Sequence, residues 1–426
     1  MNPSEINIKF FMYTCKNKYR PYEIKWDADD EYVKKSPFIK EKRTVFIIHG
    51  YLDLYEEMNW MGDLKDFILD DQRDEKGPNC GHNVIAVDWH NGSQVTLYPK
   101  AVANTQMVGA VVAGHIRQLI RVYDNLTPND FTVVGHSLGA QTSGFVGKHF
   151  QGEGGKLRNI IGLDPAGPSF SDINDTHRLN PNDAKLVLTI HTNGGQEMGD
   201  NFGLLTPLGH YSFYPNGGHQ QTGCEKTKAV ANILLNGVVG GLTDTMACSH
   251  RRATRLVAFN ESHLTYAQAV AFACASYEEY AAGNCGTCSD AEQCKPFSNW
   301  FGWWQEQEPP STWTKPVKYY LDTTSTIPWT MFAIQVIVET GNIAVPVNGS
   351  LEITPFGRFR NGPKILITDR NELGKIKANT KYSYLMKVPK DLGQVRQAIV
   401  NWIDGEEGAK ISLKSITFNF LSHINS

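Results

Sequence analysis

No stretch of about twenty consecutive apolar residues occurs in the 426-residue chain, so no segment is long and apolar enough to cross a bilayer as a helix. Neither charge sign is in excess: 41 Lys and Arg stand against 44 Asp and Glu, a formal net charge of -3. That balance excludes the basic footprint of a nucleic-acid binder and leaves no acidic interaction tail. Internal repeats and low-complexity tracts are also lacking, which excludes an array of repeated units. The opening residues, MNPSEINIKFFMYTC, carry charges where an export signal has its apolar stretch. The expectation is a mature form from which any such signal is already gone. Cys285 and Cys288 have metal-ligand spacing, but no second Cys-x-x-Cys or His-x-x-x-His pair accompanies them, which argues against a structural zinc.

The chain is long enough for two domains, each with its own core. Its eight cysteines are Cys15, Cys80, Cys224, Cys248, Cys274, Cys285, Cys288 and Cys294. An even number gathered mostly in the second half reads as disulfide staples and favours an extracellular compartment. Asn-x-Ser/Thr sequons at Asn91, Asn125, Asn174, Asn260 and Asn348 fit secretion but recur by chance in such a composition.

Buried-strand runs recur as TVFIIHG (44–50), NVIAVDW (83–89), FTVVG (131–135), RNIIGLD (158–164) and KLVLTIHT (185–192), with helical or loop material between them. This predicts an α/β fold on a mostly parallel sheet. The apolar spacing of residues 101–125 predicts a long helix covering that sheet. After QEQEPPSTWTKP (305–316) the texture changes to short, turn-punctuated strands, which predicts a C-terminal β-sandwich.

One local pattern carries chemistry. Residues 131–134 form a β-branched run, Gly135 to Gly139 spell Gly-x-Ser-x-Gly, and Ala140 to His149 is helix-tolerant. A strand, a sharp turn and a helix would push the Ser137 hydroxyl outward from a strained backbone, the setting of a nucleophile. Such a serine needs a histidine base and a carboxylate to orient it, following in the order acid then histidine. Asp164, at the end of the next apolar strand, is the best-placed acid, while Asp183 and Asp200 remain open on spacing. For the base, His177, His191, His210, His219, His250 and His263 all follow, and spacing does not choose among them. His49 precedes Gly50 and His136 follows Gly135, each at a strand end, and both read as structural.

VVGHSLGAQTSGFVG, IIGLDPAGPSF, RLNPNDAKLVLTIHT, GHYSFYPNGG and CSHRRA, in this order, closely resemble the pancreatic-type triacylglycerol lipase family, which includes lipoprotein, hepatic and endothelial lipases and secreted phospholipases. The resemblance covers nearly the whole chain. It implies an α/β-hydrolase catalytic domain over residues 1–314 and a PLAT-like β-sandwich over 315–426. It further implies a triad of Ser137, Asp164 and His250, and an oxyanion site made by the main-chain amides of Tyr51 and Leu138. The family's activity is hydrolysis of carboxylic esters of triglycerides, for a secreted enzyme working at a lipid droplet, micelle or membrane surface, without nucleic acid. A colipase-like protein cofactor is the further partner it admits.

By the same resemblance, the 23 residues between Cys224 and Cys248 form a lid, with an apolar stretch at Ala229 to Leu235 and three glycines that ease rearrangement. Cys274 is expected to pair with Cys285 and Cys288 with Cys294, which leaves Cys15 as the candidate partner of Cys80. No cofactor is required for the chemistry. DTHRLNPNDAK (175–185) resembles the family's calcium loop, with Asp175 and Arg178 ligating through main-chain oxygens and Asn180 and Asp183 through side chains. Asn180 stands where relatives carry aspartate. Trp300, Phe301, Trp303 and Trp304 read as interdomain packing or, if exposed, a lipid contact. Two alternatives fit the same motifs: a phospholipase of the family, and a lipid-binding or storage protein on the lipase fold. An intact triad speaks against the second.

Overall fold

The protein is described from a computed structural model. The structure describes residues 1–70, 81–152, 154–195, 201–225, 247–257, 270–285, 292–297, 313–327, 329, 331–343, 347–368, 375–403 and 410–420. Most of the expected lid, the 300–304 aromatic cluster, Cys80, Asp200, His263 and Cys288 lie outside them. The chain divides into two compact units, Met1–Glu261 with Asn299–Val317, and Ser262–Ser298 with Lys318–Ser426.

The first unit runs α1 (Pro3–Ile6), β1 (Lys9–Tyr13), β2 (Tyr22–Lys25), α2 (Asp30–Lys34), β3 (Thr44–Ile48), α3 (Trp60–Asp70), β4 (Asn83–Asp88), α4 (His90–Ser93), α5 (Tyr98–Val122), β5 (Phe131–His136), α6 (Leu138–Lys148), β6 (Asn159–Leu163), β7 (Leu186–Ile190) and β8 (Tyr211–Pro215). Its strands lie in the order β8-β7-β6-β5-β3-β4-β1-β2. From β8 to β4 all neighbours are parallel, and β1 closes the edge antiparallel to β4 and β2. Every residue of β3, β4, β5, β6 and β7 is buried, as expected of parallel strands covered on both faces. The long helix begins at Tyr98 and ends at Val122, with Val108, Val112, Ile116 and Leu119 turned into the core at helical spacing.

Helix α6 sits closer to its neighbours than side chains would allow. A Cβ at position 139 would lie 2.2 Å from the Ile48 carbonyl oxygen, one at 135 would lie 2.1 Å from the Gly139 oxygen, and one at 109 on α5 would lie 2.6 Å from the Phe145 Cβ. Glycine at these three places permits the approach. Phe145 and Val146 then pack into the same core as Phe10, Phe46, Phe131 and Ile160.

In the second unit, strands 381–388, 332–340 and 413–420 form one antiparallel sheet, and 365–368, 350–357 and 395–403 another. Ile334, Val336 and Val338 of one sheet and Leu351 and Ile353 of the other belong to one apolar cluster. The strand at 317–321, expected among these, instead pairs through Tyr319 and Tyr320 with the strand 270–273. Cys224 bonds Cys248 and Cys274 bonds Cys285, as expected. Cys15 and Cys294 are also disulfide-bonded, their expected partners being outside the described residues.

The close approach at position 139 makes a prediction. Gly139→Ala should lower stability by about 3 kcal/mol or more, because the clash is with backbone. Gly114→Ala, where a Cβ meets nothing within 4 Å on α5, should be neutral or stabilising. Urea midpoints of the two variants check this, and coincident midpoints would contradict it.

Candidate active site

Ser137 occupies the residue between β5 and α6 with φ 57° and ψ -120°, a conformation that costs a non-glycine residue energy. Neighbouring main chain holds it there. Its amide donates to Leu163 O at 3.0 Å, and its carbonyl accepts from Ala140 N at 3.0 Å and Ala166 N at 3.2 Å. Behind it, a Cβ at Gly50 would come within 2.8 Å of the Ser137 Cβ and 3.3 Å of its Oγ, so the loop after β3 passes directly against the serine.

Asp164, directly after β6, is fully buried and also has positive φ, 40°. Oδ1 accepts from the Thr192 and Asn193 amides at 2.7 and 3.0 Å, and Oδ2 is 2.6 Å from His250 Nδ1. A carboxylate only accepts, so Nδ1 carries a proton and, in the neutral ring, the lone pair belongs to Nε2. Gly203 lets the chain fold over this carboxylate, since a Cβ there would lie 2.5 Å from Oδ1. His250 is placed further by His136, whose Nε2 donates to the His250 carbonyl at 3.2 Å and whose ring centroid is 4.5 Å from the His250 ring. Burial and the adjacent His250 hold His136 down at about 3, so it stays neutral.

Among the described candidates, the rings of His177, His191 and His210 are engaged elsewhere. His191 Nδ1 is 2.6 Å from Leu204 O and Nε2 is 2.8 Å from Thr189 Oγ1. His210 Nδ1 accepts from Val187 N at 2.9 Å, and burial lowers it to about 4. His177 pairs with Thr176 on the surface, and the His219 carbonyl accepts from Asn193 Nδ2. Asp183, the other described acid left open by spacing, is bonded to Lys148. Burial pushes Asp183 up to about 6 and lowers Lys148, so the desolvation cost falls on both partners.

Tyr51 follows Gly50 in the loop against Ser137. Its hydroxyl donates to Val95 O at 3.0 Å and its ring meets Tyr98 edge-on at 5.1 Å. His49 fixes the start of this loop: Nε2 accepts from Trp89 N at 3.0 Å, leaving Nδ1 to donate to Gly50 O at 3.0 Å. Leu138 opens α6 one residue after the serine. Asp175, Arg178, Asn180 and Asp183 come together in one loop on the far end of α6, where the Arg178 main-chain oxygen and the Asp183 carboxylate accept from Lys148 and the Asp175 main-chain oxygen accepts from the Asn180 amide. The residues that sequence reasoning missed are Thr192 and Asn193, whose amides hold Asp164, and Lys148. Main-chain donors leave no side-chain signature, and a lysine in a last helical turn reads as an ordinary complement to the helix dipole.

Comparison with known proteins follows this geometry. A family described as Lipase matches residues 1–329. The chain is 30% identical over 402 residues to pancreatic lipase-related protein 2 of Myocastor coypus, covering 94% of this chain and 80% of that protein. It is 31% identical over 404 residues to pancreatic triacylglycerol lipase of Cavia porcellus, again 94% of this chain and 80% of the relative. The human pancreatic triacylglycerol lipase is 30% identical over 402 residues, with the same coverage. The chain belongs to the lipase family of carboxylic ester hydrolases.

Proposed function

We propose that this protein is a secreted triacylglycerol lipase that works at a lipid surface through Ser137, His250 and Asp164. The observation that carries the reading is the buried Asp164–His250 pair at 2.6 Å beside a serine held at positive φ. Ser137 Oγ attacks the acyl carbonyl while His250 Nε2 takes its proton and passes it to the departing alcohol. Asp164 fixes the tautomer and stabilises the imidazolium. The Leu138 and Tyr51 amides donate to the oxyanion, because one opens a helix and the other sits in the loop pressed against the serine. Water then attacks the acyl-enzyme by the same route, releasing fatty acid and regenerating Ser137.

The disulfides support secretion. The two antiparallel sheets sharing one core support a PLAT-like β-sandwich that helps seat the enzyme on lipid. The Cys224–Cys248 bridge closes a loop that acts as a lid in this reading. Exposing its apolar side chains would cost about 1.5 to 3 kcal/mol each in water, so a lipid surface must supply replacement contacts.

Ser137→Ala and His250→Ala should each cut ester hydrolysis by roughly four to six orders of magnitude with the fold retained, and Asp164→Asn by about four. Turnover on a triglyceride emulsion together with circular dichroism measures both. A folded His250→Ala variant with parent-like turnover would mean another base. Plotted against triglyceride concentration, the rate should rise at the solubility limit. Replacing residues 226–246 by a short glycine-serine link should abolish that rise and change the triglyceride-to-phosphatidylcholine ratio. A parent that favours phosphatidylcholine would make it a phospholipase of the family instead.

A further inference from the structure

The loop that the family resemblance nominates for calcium is closed by a lysine. Lys148, the last residue of α6, places its ammonium 2.7 Å from both Asp183 carboxylate oxygens and 2.8 Å from the Arg178 main-chain oxygen. Three acceptors use all three of its hydrogens. Asn180 turns its amide nitrogen inward, 2.8 Å from Asp175 O and 3.3 Å from Asp183 Oδ1. Asp183 accepts further hydrogen bonds from Asn180 N and Gln151 Nε2, each at 3.0 Å. The Asp175 carboxylate points the other way, to Arg178 at 2.8 Å.

This donor set does not fit calcium. A hard dication wants six to eight oxygens, several of them anionic. Here the one carboxylate directed into the loop is matched by a single positive charge, the main-chain oxygens already accept from nitrogen donors, and a dication placed among them would be repelled by the Lys148 ammonium. The lysine also has a mechanical task. A Cβ at Gly147 would fall 2.1 Å from Asp183 O, and one at Gly144 2.7 Å from Leu179 Cα, so the loop rests directly on the α6 backbone. Gln141, nearer the serine end of the same helix, accepts from Leu179 N and donates to Ala166 O, both at 2.9 Å. Loop, helix and the turn after Asp164 are thus tied into one piece.

We propose that in this chain the Lys148 ammonium takes the structural place of a calcium ion, pinning the 175–183 loop to α6 and making the fold calcium-independent. The inference holds whichever ester the site cleaves.

Melting temperatures of the full chain in EDTA and in millimolar calcium test it, with bound calcium counted by equilibrium dialysis. The two melts should coincide within about 1 °C, whereas an ion held at a hundred times its Kd would raise the melt by on the order of 5 °C. The double variant Lys148→Ser, Asn180→Asp restores an all-oxygen set. It should melt below the parent in EDTA and recover on the order of 5 °C in calcium, with one ion bound per chain. A parent that binds one calcium per chain, or melts several degrees higher with it, overturns the proposal, and that measurement decides even if the variant does not fold. A folded double variant that takes up no calcium also overturns it.

Discussion

The first turn of α6 lies against the ends of β3 and β5 so closely that a methyl group at position 139 would sit 2.2 Å from the Ile48 carbonyl oxygen, and the whole site depends on that approach. With strand and helix this near, the one residue joining them is forced to positive φ, and Ser137 is that residue. The same helix meets α5 through Gly109 and the 175–183 loop through Gly144 and Gly147. Packing, backbone strain and the placement of Ser137 are therefore one constraint, distributed along an eleven-residue helix. The strain at Ser137 persists because its amide is held by the last residue of β6 and its carbonyl by Ala166 just after that strand.

Electrostatics complete what packing begins. A fully buried carboxylate is costly unless every oxygen finds a donor, and Asp164 has two main-chain amides on one oxygen and His250 on the other. The amides orient the carboxylate, and the carboxylate orients the imidazole through Nδ1. His136 lends a neutral hydrogen-bond donor to the His250 carbonyl without adding charge beside the His250 ring. At the far end of α6, Asp183 is balanced by Lys148, so the two described candidate acids are separated by their partners, Asp164 holding His250 and Asp183 anchoring a loop.

Much of this was legible in the sequence. The five apolar runs became β3 to β7, shifted by a residue or two at their ends, because strands buried on both faces announce themselves by composition alone. Strands β1 and β2 and helix α3 were not read: KFFMY is short and, after its lysine, apolar or aromatic without alternation, and its strand character comes from pairing with β4. The strained serine was visible because the turn is local. The histidine was not, since its partner lies 86 residues away and only the fold brings them to 2.6 Å. Lys148 escaped for the same reason, with 35 residues separating it from Asp183.

The central claim is that Ser137 is the one side chain activated for attack on an acyl carbonyl. An alkyl phosphonate ester with a good leaving group would report this directly, because it transfers its phosphonyl group only to an activated nucleophile and mimics the tetrahedral intermediate. Intact-mass measurement after reaction should find one phosphonyl group per chain, and peptide mapping should place it on Ser137. Modification at a different residue, or a chain that stays unmodified while it hydrolyses triglyceride, would contradict the account.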